Sequence, residues 1–332
     1  MNRWMKFTIA VGCVAALAIA SSFGQAKKTI KIALIAKSSA NPVFLSARTG
    51  AEAAAKDLSI KYGIDVVIDW RTPPAEDGQV QAQRIAQAVN EGDDAIIISC
   101  SDAGKVTGAI NDAAARGVPV MTFDSDAPQS KRFAFYGVDD VASGEQVMAE
   151  LAKQLGGKGK VAILAGNQNA PNLRKRADGV KKQALKYPEI TIVNTFYHIE
   201  TPQDAAAEVV RVMNAYPDIN GWAMVGGWPL FTKTLLTDLD PKKVAVVAVD
   251  ALPAELPYVE KGIAPVLLAQ PTYKWGYVSV QDVIDKVYLK KDVPVITRME
   301  LVVVTKENLG TWARQLKTWG FTDVPDEFLK MP

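Results

Sequence analysis

Two kinds of apolar pattern alternate along the chain. From Thr29 onward, short runs rich in Val and Ile are separated by stretches whose apolar residues recur every three or four positions. The short runs predict strands at residues 30–36, 65–69, 95–99, 118–123, 161–165, 190–197, 221–225, 244–249, 264–269 and 299–304, with a short further strand near Gly137. Most are continuously apolar, as expected where both faces of a parallel sheet are covered. Phe44, Ala47, Ala51, Ala54, Ala55 and Leu58 trace one helical stripe, and Gly144, Val147, Met148, Leu151 and Leu155 another. Asp, Asn, Ser and Thr stand near the helix starts, and Gly63, Gly92 and Gly117 follow helix ends. Repeated βα units of this kind predict a doubly wound α/β architecture.

A chain of 332 residues is too long for one ordinary core and suits two lobes. A boundary falls near residues 137–140, and a second set of units runs from 157 to 270. The tail, 306–332, carries Trp312, Trp319 and Phe321 and is expected to pack as a closing helix and loop. No short-period repeat marks a solenoid. The first residues look like an export signal: Arg3 and Lys6 precede an uncharged run from Phe7 to Ala20, then a small, polar stretch ending at Ala26. That run is shorter than the roughly 20 residues a membrane span requires. Cleavage near Ala26 removes Arg3 and Lys6 and no acidic residue, leaving a neutral chain. Ala10-Val11-Gly12-Cys13 also faintly resembles a lipoprotein site, although half of the apolar run follows the cysteine.

Composition narrows the chemistry. A net charge of +2 gives no footprint for nucleic acid or an anionic membrane. One histidine and two cysteines are too few for a Cys/His zinc site, and no metal or cofactor is expected. Cys100, at a strand end, reads as a small buried hydrophobe. The glycines around Lys158 precede a strand, whereas a phosphate loop follows one, so they predict a turn. No GxSxG elbow is present, and the lone His198 reads as a surface or edge residue.

In open α/β sheets, ligands bind beyond the carboxyl ends of strands. Those ends carry Lys37, with Asn41 and Phe44 just beyond; Asp124; Asn172, Arg174 and Arg176 on one helix; Gly226, Gly227 and Trp228; Asp250; and Gln270. Capping accounts equally well for any single Asp or Asn. Asp102 reads as a cap, Lys37 as a solvated loop lysine or a cleft residue, and Trp228 as a packing plug or a ligand wall. Together the set exceeds what capping requires.

These residues also carry a resemblance. Asn41-Pro42-Val43-Phe44, the run from Val118 to Asp124, Arg176-Ala177-Asp178-Gly179, Val247-Ala248-Val249-Asp250 and Ala269-Gln270-Pro271 resemble, in order and spacing, the ribose/galactose-type periplasmic sugar-binding proteins of ABC importers. The resemblance spans nearly the whole chain after the export signal. Repressors of the lactose type share the fold but begin with a DNA-binding motif. It implies the type I periplasmic binding protein fold: two Rossmann-like, parallel-sheet lobes joined by a three-segment hinge near 137–140, 270–272 and 299–302. The N-terminal lobe would comprise 27–138 plus 273–300, and the C-terminal lobe 139–272 plus 301–305. The pocket would draw on Asn41, Phe44, Asp124, Arg176, Asp250 and Gln270, with Lys37, Ser125, Asn172 and Trp228 beside them.

The chain departs from the ribose pattern in four places. Ser125 replaces an arginine, Val43 one of two phenylalanines, Glu200 falls near an aromatic position and Gly226 at an asparagine. The implied function is a monomeric periplasmic receptor that closes over a monosaccharide or polyol, a hexose or deoxyhexose rather than ribose, and delivers it to a membrane permease. Receptors for another small polar ligand, such as a furanone autoinducer or a nucleoside, and an exported carbohydrate-active enzyme remain the alternatives.

Overall fold

The computed structural model describes residues 27–332; the expected export signal and Cys13 lie outside them. In the first half, β1 (Thr29–Ile35), α1 (Pro42–Tyr62), β2 (Asp65–Trp70), α2 (Gly78–Asn90), β3 (Ala95–Ile98), α3 (Ala103–Ala115), β4 (Val120–Phe123) and β5 (Ala134–Gly137) alternate as the pattern predicts. Then come α4 (Asp140–Gln154), β6 (Lys158–Ala165), α5 (Pro171–Ala184), β7 (Glu189–Tyr197), α6 (Pro202–Ala215), β8 (Gly221–Met224), β9 (Ala245–Val249), α7 (Leu256–Glu260) and β10 (Val266–Ala269). The chain ends with α8 (Thr272–Val287), β11 (Ile296–Arg298), β12 (Val302–Val304), α9 (Leu309–Thr318) and α10 (Asp326–Leu329).

Two six-stranded sheets result, ordered β11-β5-β4-β3-β1-β2 and β12-β10-β9-β8-β6-β7. Apart from the sixth edge strand, each sheet has the same winding, which reverses beside its first strand and opens a crevice there. The chain passes between the sheets three times: from β5 to α4 and β6, from β10 to α8, and from β11 to β12. All pairs are parallel except β10 with β12. The hydrophobic pattern shows neither β11, whose three residues are largely exposed, nor the late start of β12. Met299 instead donates its N–H to the Gly137 carbonyl, so part of the expected strand is a crossing.

Side-chain caps start the helices where the polar residues stand: Asn41, Asp77, Asp102, Asp139 and Thr201 each accept a backbone N–H. Every residue of the α1 stripe is buried against the first sheet. The glycines at 156 and 157 form the expected turn, and Cys100 is buried. The tail is more helical than expected: α9 and α10 place Leu309, Trp312, Leu316 and Phe328 in the second core, and Trp312 donates to the Ala251 carbonyl. Trp319 then stacks on Tyr273 at the start of α8, with ring centroids 5.8 Å apart.

Two helix pairs cross so closely that only glycine fits. A Cβ at Gly276 of α8 would lie 1.8 Å from the Ala47 carbonyl of α1, and one at Gly144 of α4 would lie 1.9 Å from the Arg176 carbonyl of α5. Backbone cannot retreat as a flexible side chain does. Gly276→Ala is expected to lower stability by about 1–3 kcal/mol, read as a fall in Tm or in the denaturant midpoint. Gly144→Ala should do the same and also displace Arg176. An unchanged midpoint in both variants would contradict this crossing geometry.

Candidate functional site

The strand ends of the two sheets face each other across a narrow cleft, lined by Lys37, Asn41, Phe44, Asp124, Asn172, Arg176, Trp228, Asp250 and Gln270. At its centre Arg176, on the second turn of α5, is 2% exposed. Its Nε donates to Asp140 at 2.9 Å, Nη1 to the Val225 carbonyl at 3.2 Å and Nη2 to Gln270 at 3.0 Å, while Asp124 lies 3.6 Å away. Gln270 passes the network on, donating to Asp250 at 2.9 Å. Asp250 also accepts from the Gly227 N–H at 3.3 Å. Burial raises the Asp250 and Asp140 carboxyls above the ordinary aspartate range, and Arg176 pulls both back. The guanidinium itself is held charged: the nearby carboxylates outweigh its desolvation.

A second cluster ties the two lobes together. Asp124 accepts from Ser99 at 2.7 Å and, from α5 of the other lobe, from Asn172 at 3.0 Å. Its φ of 55° and the 82° of Asp250 are left-handed conformations that turn both side chains off their strands and into the cleft. Lys37 departs from the solvated-lysine expectation. It is 2% exposed, with Nζ 3.3 Å from Asn172 Oδ1 and 4.0 Å from Asp124. Burial alone would lower its pKa, but Glu200, Glu76 and Asp124 more than offset that and keep it protonated.

Aromatic rings supply the walls. Phe44 stacks on Trp275 at 6.1 Å and meets Phe123 edge-on at 6.4 Å. Trp228 is both plug and wall: it belongs to the second core, lines the cleft and fills the space beside Gly226, where a Cβ would lie 2.5 Å from its ring. Asn41 likewise has two roles: its carbonyl caps α1 and its NH2 stays available to a ligand. Ser125 is the exception among the candidate residues. It is fully buried outside the cleft lining, and its carbonyl accepts from Cys100. His198 follows the edge strand β7, in keeping with the edge reading, and is half-buried, edge-on to Trp228 at 4.8 Å; burial lowers its pKa.

Four groups in or directly behind the cleft were not among the candidates. Asp140 and Trp275 sit within the first turn of helices that follow strand ends, one step beyond where the strand-end rule was applied. The Trp275 indole N–H is buried without a protein acceptor. Glu76 and Glu200 lie on the loops after β2 and β7, beyond the strand ends that the apolar runs mark.

The chain matches the family model described as "Periplasmic binding protein domain" over residues 32–291. It belongs to the periplasmic binding protein family. This binding protein is 34% identical to the ribose import binding protein RbsB of Bacillus subtilis (strain 168) over 153 residues, 46% of this chain and about half (48%) of that relative. Against the ribose import binding protein RbsB of Escherichia coli (strain K12) it is 25% identical, covering 91% of this chain and 99% of the relative. A solute-binding protein from Burkholderia graminis C4D1M, solved with D-arabinose, superposes with a TM-score of 0.79 at 27% identity over 86% of this chain and 98% of that one. The glucose-galactose binding protein GanP from Geobacillus stearothermophilus gives 0.77 at 27% identity, over 85% and 99%. Two-lobed α/β architecture and family are thus as the motifs implied, and these relatives are named as binding proteins rather than enzymes. The family is extracytoplasmic by nature. None of the helices among the described residues is long and apolar enough to cross a membrane.

Glu255, behind Asp250, is fully buried, with one carboxyl oxygen accepting from the Leu252 N–H and the other unpartnered. Burial and then Asp250 push its carboxyl well above the usual glutamate range, opposed in part by that N–H. A carboxyl whose folded-state pKa is raised contributes its full stability below the ordinary glutamate value and loses it as pH rises through the folded value. Glu255→Gln is therefore expected to be at least as stable as the wild type at neutral pH, with its advantage shrinking as the medium is acidified. Denaturant midpoints across pH check this; a pH-independent gap contradicts it.

Proposed function

We propose that this binding protein is a periplasmic receptor that captures one small sugar or polyol between its lobes and delivers it to the permease of an ABC importer. The observation that carries the proposal is the buried polar set drawn from both sheets, Asp124, Asn172, Arg176, Asp250 and Gln270, walled by Phe44, Trp228 and Trp275. A sugar presents hydroxyls that each donate and accept, and burying them unpaired costs a few kcal/mol apiece. Carboxylates accept from such hydroxyls, a guanidinium donates, amides do both, and aromatic faces cover the C–H side of the ring. The ligands named for the relatives, ribose, arabinose and glucose or galactose, are of that class.

In this mechanism the lobes, 27–138 plus 273–300 and 139–272 plus 301–305, swing about their three crossings. A ligand touching both stabilises the closed form by its differential affinity for it. The tail, 306–332, rides mainly on the second lobe. The protein is proposed to act as a monomer after cleavage near Ala26. Asp124 and Asp250 are already engaged by Asn172 and Gln270, the arrangement of a binding site rather than of a free acid and base.

A thermal-shift screen against sugars and polyols tests the proposal. A ligand at 100 times its Kd stabilises by about 2.7 kcal/mol, enough to move the Tm by several degrees. For the hit, Arg176→Ala should cost at least about 2 kcal/mol of binding by calorimetry, since buried acceptors lose their donor. Gln270→Ala serves where that variant folds poorly. Absence of any shift, or wild-type affinity in both variants, overturns the proposal.

A further inference from the structure

The tail rests on both lobes. Its helices α9 and α10 are anchored in the second core by Leu309, Trp312, Leu316 and Phe328. The first residues between them, 319–323, form a turn that lies instead against the first lobe. There Trp319, edge-on to Trp312 at 5.6 Å, stacks flat on Tyr273 with ring planes 3° apart, and Tyr273 stacks in turn on Tyr277. Gly320, at a φ of 89° that favours glycine, brings the turn into van der Waals reach of α1: a Cβ there would lie 3.5 Å from the Thr49 methyl. Phe321 packs against the hydrophobic cores of both lobes.

The second lobe reaches across at the same place. Phe231 also packs against both cores, and Leu252, on the loop after β9, is buried in the first. With Leu45 and Thr49 of α1 they line a groove of about 250 Å³ beneath the turn. None of these side chains lines the cleft itself. One element joins the two regions: α1 carries Phe44 into the cleft, and Leu45 and Thr49 into the groove. A helix moves as a unit. A rotation of the lobes that withdraws Phe44 from the facing strand ends therefore also draws Leu45 and Thr49 off the turn.

From this we infer that the turn 319–323 is a latch that holds the lobes closed, with Trp319 and Phe321 as positioning residues that set ligand affinity without touching the ligand. The inference rests on the receptor reading of the cleft and concerns how its lobes close. The three chain crossings tether the lobes while leaving them free to rotate. The latch favours one end of that rotation, because opening returns the stacked ring faces, Phe321 and Leu252 to water. A stacked aromatic pair alone shifts such an equilibrium by about two- to tenfold. Where only the closed form grips the ligand, apparent affinity scales with the fraction of molecules in that form. The stack acts on the cleft through that fraction.

Distances between nitroxide labels, read by pulsed electron resonance, test this. The labels go on Ala75→Cys and Gln203→Cys, exposed positions that border the mouth of the cleft from opposite lobes. Among the described residues the other cysteine, Cys100, is buried. In Trp319→Ala the distribution is expected to gain longer distances. Calorimetry should show Kd rising about two- to tenfold for whichever of D-ribose, D-arabinose, D-glucose, D-galactose and xylitol binds. Tyr273→Ala, which removes the other ring, serves where that variant fails to fold. Arg314→Ala is the control. Arg314 donates to the Leu329 and Met331 carbonyls, so its loss loosens the tail without touching the first lobe, lowering Tm at wild-type distances. Wild-type distances and Kd in a folded Trp319→Ala variant, or equal opening in Arg314→Ala, overturn the inference and leave the receptor reading standing. Binding by none of the five compounds overturns the receptor reading, and the distances alone then decide the latch.

Discussion

Removing a guanidinium from water costs several kcal/mol unless its N–H groups find acceptors in good geometry. Arg176 meets that condition by drawing partners from four places: the start of α4, the end of β8, the end of β10 and, across the cleft, Asp124. Each partner needs support of its own. Gln270 can accept from Arg176 because its amide is oriented by Asp250, and Asp250 is fixed by the Gly227 N–H. Deleting one member leaves a buried charge or dipole uncompensated, so the cleft behaves as one electrostatic unit rather than a row of independent contacts. A ligand hydroxyl entering it meets groups whose direction is already set, which reduces the ordering cost of binding.

The backbone beneath is equally constrained. Gly144 and Gly179 let α4 and α5 approach until carbonyl and Cα nearly touch, and this contact positions Arg176 against Asp140. On the first lobe Gly50 and Gly276 do the same for α1 and α8, bringing Trp275 onto Phe44. The polar network and the aromatic wall thus rest on the same device, one in each lobe.

Much of this was legible in the chain because strand ends announce themselves. Lys37, Asp124, Asp250 and Gln270 follow continuous apolar runs, and the winding of each sheet delivers those ends to one crevice. What the pattern hides has physical causes. Trp275 and Asp140 look like ordinary helix residues, because a helix's first turn faces the crevice without any change in periodicity. Glu76 and Glu200 stand some residues past the ends of β2 and β7, on loops whose path back to the cleft no local pattern marks. Ser125, next to Asp124 in sequence, points away because the left-handed turn at Asp124 redirects the chain. Whether Lys37 lies in solvent or in the cleft depends on carboxylates distant in sequence, which no local pattern reveals.

The three crossings between sheets have a further consequence, for the order in which the molecule can be finished. The edge strand β11 and the facing strand β12 are laid down within a few residues of each other, late in the chain, yet they complete different sheets. Neither lobe is a contiguous stretch that could fold to completion while the rest is still being synthesised. Until residues 296–304 have emerged, β5 and β10 both present unpaired edges. A chain wired in this way matures in a single late step, remaining incomplete for most of its time on the ribosome and closing both sheets almost at once.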